Sequence, residues 1–322
     1  MNAAIPSLVP SIDVRATLDR LTRSIEAIVR GKPGAVRLAL TTLLARGHLL
    51  IEDVPGVGKT TLAQAIARSI GASFQRIQFT SDLLPSDVLG VSIWDAKTGT
   101  FELKPGPIFA NLVLADEINR TTPKTQSCLL EAMSEAQVSI DRVTHALPLP
   151  FFVIATQNPE EHHGTYPLPE SQLDRFLVRM ALGYPNAETE RALLASEGAE
   201  RALAAAQPVI SPQELLALQS AAEKVRVDPA IADYLLAIVH ATRGSPHIEL
   251  GASTRGALML HRAAKALALL DGRSSCIPDD VKTLVGPVLA HRVILAQPPG
   301  RRGREIAEAR LAELADSIPV PV

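Results

Sequence analysis

An apolar run at residues 48–54 leads straight into Pro55-Gly56-Val57-Gly58-Lys59-Thr60-Thr61, and a helical pattern follows at 61–70. A strand, a glycine-rich turn, a lysine followed by a hydroxyl residue, and a helix, in that order, point to an α/β architecture. They also place an anion site at a helix N-terminus. Gly56 and Gly58 allow backbone amides to turn toward an anion, where the helix dipole favours negative charge. Lys59 is placed to reach β- and γ-phosphates, and the Thr60 hydroxyl to ligate Mg²⁺. Such loops usually begin with glycine where this chain has Asp53. That departure leaves the turn into the loop open, but not the amide cradle at 56–60.

Five short apolar runs, at 48–54, 73–79, 111–117, 151–157 and 176–182, read as strands. Three of them (48–54, 111–117 and 151–157) are nearly continuous rather than alternating, as in strands buried on both faces of a parallel sheet. Helical patterns at 61–70 and 122–136 lie between them, which predicts a three-layer α/β domain. After Tyr184-Pro185 the chain turns rich in Ala and Leu. Ser211-Pro212-Gln213-Glu214 and Asp228-Pro229 mark helix starts. Ala257, Leu260, Ala264 and Leu267 recur at helical spacing. With 322 residues, two domains are expected: an α/β nucleotide-binding core at 1–185 and an all-helical domain at 186–322. Residues 85–109, around Lys97-Thr98-Gly99, and residues 137–150 read as β-hairpins added to the plain alternation.

Two further strand ends carry chemistry. Leu112-Val113-Leu114-Ala115 buries a strand from which Asp116-Glu117 emerges at the C-terminal end, where open α/β sheets bind ligands. Asp116 is suited to the Mg²⁺ shell, and Glu117 to orienting and deprotonating an attacking water. Ala155-Thr156-Gln157-Asn158-Pro159 ends another strand with an amide that can reach a γ-phosphate and the water beside it.

The balance of 32 basic and 34 acidic residues gives a net charge of -2, and aromatics are 3% of the chain. Neither suits a nucleic-acid motor, which needs basic tracks and stacking rings. Cys128 and Cys276 form no disulfide framework and read as reduced, buried thiols. Residues 1–12 lack a basic start and contain Pro6 and Pro10, a poor signal peptide. No apolar run is long enough to span a bilayer, so a soluble cytoplasmic protein is expected. His162 and His163, beside Glu160 and Glu161, read as a solvated loop, and Arg301, Arg302 and Arg304 as a solvated tail. Trp94 is expected to pack locally in the first hairpin.

These residues together resemble an AAA+ ATPase: the loop at 56–60, then Asp116-Glu117, then Asn158. Finer motifs resemble the MoxR subfamily: Ile77 through Asp87, Gly106-Pro107-Ile108-Phe109-Ala110-Asn111, Ala115-Asp116-Glu117-Ile118-Asn119-Arg120, and Gly164 through Glu170 followed by Leu173-Asp174-Arg175-Phe176. The likeness runs from about residue 26 to 296. It implies a P-loop αβα sandwich with a parallel sheet in order 5-1-4-3-2, hairpin inserts, and a helical lid. It also implies ATP and Mg²⁺ as cofactors, with Pro55, Gly56, Val57, Gly58, Lys59, Thr60, Thr61 and Asp116 at the nucleotide and Thr60 and Asp116 on the metal. Glu117, Asn158, Arg175 and Arg255 would be catalytic, Arg175 as an arginine finger for a neighbouring subunit and Arg255 as sensor 2 of the lid. Arg120 is either a second residue facing the neighbour or a surface charge. The resemblance implies a homo-oligomer, a hexameric ring, that remodels protein partners, among them von Willebrand factor A domain proteins. A chelatase-type motor subunit is the alternative, and a nucleic-acid motor a weaker one. A nucleotide-gated scaffold without turnover is disfavoured by the presence of both Asp116 and Glu117.

Overall fold

The computed structural model describes residues 13–158, 165–195, 198–297 and 303–321. Helices α1 (Val14–Ile28) and α2 (Pro33–Leu44) precede β1 (Leu49–Glu52), and α3 (Lys59–Ser69) leads to β2 (Phe74–Gln78). A short α4 (Pro85–Leu89) and the hairpin of β3 (Gly90–Asp95) and β4 (Thr100–Pro105) follow, then β5 (Leu112–Asp116) and α5 (Pro123–Glu135). A second hairpin, β6 (Gln137–Ile140) and β7 (Val143–Ala146), precedes β8 (Phe152–Gln157), α6 (Glu170–Leu173) and β9 (Val178–Met180). The remainder is mostly helical: α7 (Ala187–Ala195), α8 (Gly198–Ala205), α9 (Pro212–Glu223) and α10 (Pro229–Gly244), then β10 (Ile248–Leu250). After it come α11 (Thr254–Leu270), α12 (Pro278–Leu289), β11 (Ile294–Leu295) and α13 (Gly303–Ser317).

Five strands form one parallel sheet in the order β2-β5-β8-β1-β9. Numbered among themselves along the chain, they give 5-1-4-3-2, as expected. Parity explains why the central strands read as continuous apolar runs. Leu49, Ile51, Leu112, Leu114, Phe152 and Ile154 enter one core, while Leu50, Val113, Ala115, Val153 and Ala155 enter the other. Each fully buried aliphatic contributes roughly 1.5–3 kcal/mol, so neither face tolerates a polar residue.

The first core is shared with α1, α2 and α3, and also with Leu215, Leu260, Leu284 and Leu311 of α9, α11, α12 and α13. The helical half therefore packs onto the sheet's helical layer instead of standing apart. The second core lies under α5 and the β6–β7 hairpin, through Leu129, Leu130, Val138 and Ile140.

Local signals for the helix starts hold. Ser211 Oγ accepts from Glu214 N at 3.2 Å while the Glu214 carboxylate accepts from Ser211 N at 2.7 Å, a reciprocal capping box. Asp228 and Ser253 cap α10 and α11. The second half is not wholly helical, however: β10 and β11 pair antiparallel. Strands of two and three residues are too short to show a period-2 pattern. In the first hairpin Trp94 stands opposite Phe101, ring centroids 5.1 Å apart, and both rings remain exposed. The thiols are free, Cys276 buried and Cys128 half-buried. No described helix is long and apolar enough to cross a membrane.

Candidate nucleotide site

The loop after β1 has the backbone its glycines predict. Gly56 and Gly58 lie at φ +82° and +96°, and a β-carbon at either would meet nothing within 4 Å. The glycines are thus required by the backbone conformation, and the space over them is open. Gly58 precedes α3, and no side chain caps that helix. The positive end of the helix dipole lies at this turn. A phosphate group fits such a cradle. Lys59 Nζ reaches back to the Asp53 carbonyl at 2.6 Å.

Asp53, the residue that departs from the usual glycine, makes the turn in another way. Its carboxylate accepts from Val54 N at 2.8 Å and from Leu182 N and Gly183 N at 2.7 Å each. The start of the loop is therefore tied to the chain leaving β9.

The acid pair lies at the same end of the sheet. β8 pairs with β1 on one side and β5 on the other, so the loop, Asn158 and Asp116-Glu117 leave three adjacent parallel strands. Asn158 and Asp116 are both buried. Thr156 Oγ1 donates to Asp116 Oδ1 at 2.5 Å and accepts from Glu117 N at 2.9 Å. Arg76 on β2 grips Asp116 Oδ2 through Nε (3.1 Å) and Nη2 (2.7 Å). Glu117 Oε2 accepts from Gln78 Nε2 at 2.7 Å and lies 3.2 Å from Arg120 Nε. Glu117 itself sits at φ +57°, a left-handed conformation that costs a non-glycine residue about 1–3 kcal/mol and recurs at functional sites. A hard divalent cation takes oxygen ligands. Asp116 offers carboxylate oxygens of that kind, Oδ1 engaged by Thr156 and Oδ2 by Arg76.

The chain was compared with known families, curated proteins and solved structures. Residues 48–178 match the ATPase family associated with various cellular activities (AAA), and residues 240–314 match the AAA lid domain. The chain is 49% identical to the uncharacterized protein YeaC of Bacillus subtilis, over 96% of this chain and 97% of the relative. It is 43% identical to Chaperone MoxR1 of Mycobacterium tuberculosis, over 87% and 76%. The chain belongs to the MoxR-type AAA+ ATPases. A crystal structure of a candidate ATPase from Cytophaga hutchinsonii superposes with a TM-score of 0.84 at 35% identity, covering 96% of both chains.

The two arginines expected to complete a MoxR-type site bond to groups other than the acid pair. Arg175 donates to the Leu130 carbonyl at 2.5 Å and to Ser134 Oγ at 2.7 Å, at the C-terminal end of α5. The same Leu130 carbonyl also accepts from Ser134 Oγ at 3.3 Å, so Arg175 joins a carbonyl already in use within the helix. Arg255 stands in the first turn of α11, just over half exposed, with Nε 3.7 Å from Asp174 Oδ2. Asp174 is held more firmly by Arg292, whose side chain is 1% exposed and whose Nε lies 2.9 Å away. Arg292 also donates to the carbonyls of Asp174, Phe176 and Leu177. Burial lowers its pKa to about 10, against the pull of Asp174.

Sequence reasoning missed Arg292 and Arg76. Arg292 lies in a 3-10 turn with no motif around it. Arg76 and Gln78 carried a signal, since residues two apart on a strand share a face, but nothing in the sequence placed that face over Asp116. Arg304 is not a solvated tail residue: it lies in α13 and donates to the Glu52 carbonyl at 3.3 Å, with Glu308 nearby. Arg301, Arg302, Glu160, Glu161, His162 and His163 lie outside the described residues.

Proposed function

We propose that this protein is a ring-forming, Mg²⁺-dependent ATPase that couples hydrolysis to chaperone-like remodelling of protein partners, with 1–185 as the nucleotide-binding core and 186–322 as its lid. The observation that carries the reading is the open glycine cradle at Gly56 and Gly58 after β1, at the same end of the sheet as Asp116 and Glu117 after β5, with β8 and Asn158 between them. Pro55 to Thr61 would cradle the phosphates, with Lys59 released from the Asp53 carbonyl to meet them. Thr60 and Asp116 would hold Mg²⁺, which neutralises charge between the β- and γ-phosphates when bound. Glu117, freed from Gln78 and Arg120, orients and deprotonates the attacking water. Asn158 contacts the water and the γ-phosphate. Arg255 approaches from the lid, and Arg175 leaves α5 to meet the phosphate of a neighbouring subunit, where a guanidinium stabilises developing charge. The reading extends to a hexamer in the cytoplasm that acts on von Willebrand factor A domain proteins; the relative named Chaperone MoxR1 supports the chaperone part of it. Near-neutral charge and few aromatics favour protein over nucleic-acid clients.

The test is nucleotide binding and turnover in two variants. Lys59→Ala should lose ATP binding, and Glu117→Gln should bind ATP but hydrolyse it very slowly. Tight binding by the first, or normal turnover by the second, removes these residues from their roles. Clients that co-purify with the ATP-loaded Glu117→Gln protein would separate a chaperone from a chelatase motor.

A further inference from the structure

Gly183 is held from both sides. Its N–H donates to the Asp53 carboxylate, as does that of Leu182. Its carbonyl accepts from Lys32 Nζ at 2.5 Å, and the same ammonium donates to the Val57 carbonyl inside the phosphate loop at 2.8 Å. Gly183 lies at φ +67°, a conformation that needs such support less in glycine than in any other residue. It directly precedes Tyr184-Pro185, where the chain passes from the last strand toward α7.

We propose that Asp53 and Lys32 are positioning residues of the nucleotide site: together they clamp Gly183, so that the phosphate loop and the strand end leading to the lid are held as one unit. The chemistry of both residues argues for it. A glycine at position 53 would turn the chain at no steric cost. Aspartate instead places a carboxylate where three backbone N–H groups converge, two of them 129 and 130 residues away in sequence. Lys32 is 8% exposed, and an ammonium is a costly group to bury. An apolar side chain would fill the same space, but only a donor can hold two carbonyls at a fixed separation. Burial depresses the Lys32 pKa, and the charge of Asp53 works against that depression, so Asp53 helps keep the ammonium charged.

The clamp also connects to the phosphate. Lys59 Nζ rests on the Asp53 carbonyl, the backbone of the residue whose side chain grips Gly183. When Lys59 turns to a phosphate, Asp53 loses that contact, and the change is felt at Gly183 and the lid stem. The inference rests on reading the loop as an ATP site.

Asp53→Asn and Lys32→Met test it in ATP turnover. Each should raise KM about tenfold, the size of one charge-assisted hydrogen bond, while kcat stays within about twofold. The double variant should be no worse than either single, because both release the same residue. Amide hydrogen exchange should rise at the peptide carrying Leu182 and Gly183 in each variant, and ATP should protect it less than in the wild-type chain. Unchanged KM and unchanged exchange in both singles overturns the clamp, even if melting temperatures fall. A double variant near one hundredfold, the product of independent effects, overturns it as well. If Asp53→Asn does not fold, Lys32→Met alone decides by KM and exchange. A wild-type chain that fails to bind ATP refutes the site reading, whereas ATP binding that is indifferent to both variants refutes only the clamp.

Discussion

His48 makes the stability of the sheet sensitive to acid in a way that can be calculated. It stands one residue before β1, 7% exposed, between Phe151 and Phe152. Both ring nitrogens are engaged: Nε2 donates to the Met133 carbonyl at 2.8 Å, and Nδ1 accepts from Val153 N at 3.0 Å. A second proton would have to sit on Nδ1, facing an N–H, inside the core. Burial accordingly lowers the pKa from 6.5 to about 4. Between those values the unfolded chain binds the proton and the folded chain does not. Stability is therefore complete above pH 6.5 and is lost as pH falls toward 4. At about 1.4 kcal/mol per pH unit, His48 alone removes roughly 2 kcal/mol between pH 7.5 and 5. His291, also buried and lowered well below 6.5 by burial and by Arg292, acts in the same direction. The comparison must therefore be with His48→Gln, whose amide can donate to Met133 and accept from Val153 without titrating. Urea midpoints and m values across pH 7.5, 6.5, 5.5 and 5.0 give the stabilities. His48→Gln should lose about 2 kcal/mol less than the wild-type chain over that range. Parallel losses in the two proteins would refute the reasoning.

Arg175→Ala should be inactive alone yet regain ATPase activity when mixed with Lys59→Ala subunits, because the two defects fall in different halves of a shared site; no recovery in mixed rings removes the trans role. Arg292→Ala leaves Asp174 without its closest cation and should cost about 3 kcal/mol in urea unfolding, and a loss under 1 kcal/mol would show the buried guanidinium to be dispensable. Ser211→Ala removes one side of the capping box and should cost about 1 kcal/mol, visible as faster amide exchange in the first turn of α9; unchanged exchange there would refute the cap.

Much of the candidate site was legible because its motifs are local. The loop, the Asp116-Glu117 pair and Asn158 each sit at a strand end that its own apolar run announces. Each needs only its neighbours in sequence to be recognised. The capping residues Ser211 and Asp228 were legible for the same reason. The partners of these groups were not. Arg76 and Gln78 meet Asp116 and Glu117 across about 40 residues, and Arg292 meets Asp174 across 118. Such contacts follow from which strands are neighbours and how the helices return, and no spacing along the chain encodes them. Arg175 shows a further limit: its motif suggests what it acts on in an assembly, while the single chain shows it bonded to α5.

By itself the sequence determined a parallel sheet, through runs that are apolar on both faces, and an open left-handed turn at the head of a helix, through two glycines in front of a lysine. Those are properties of short segments, set by backbone freedom and side-chain burial. Only the tertiary structure decided what Asp53 is for. In the sequence it is a carboxylate in place of a glycine; in the fold it takes the amides of Leu182 and Gly183. The strand order that sets β9 beside β1 brings those amides within reach, and a hydrogen bond requires that proximity whatever the distance along the chain.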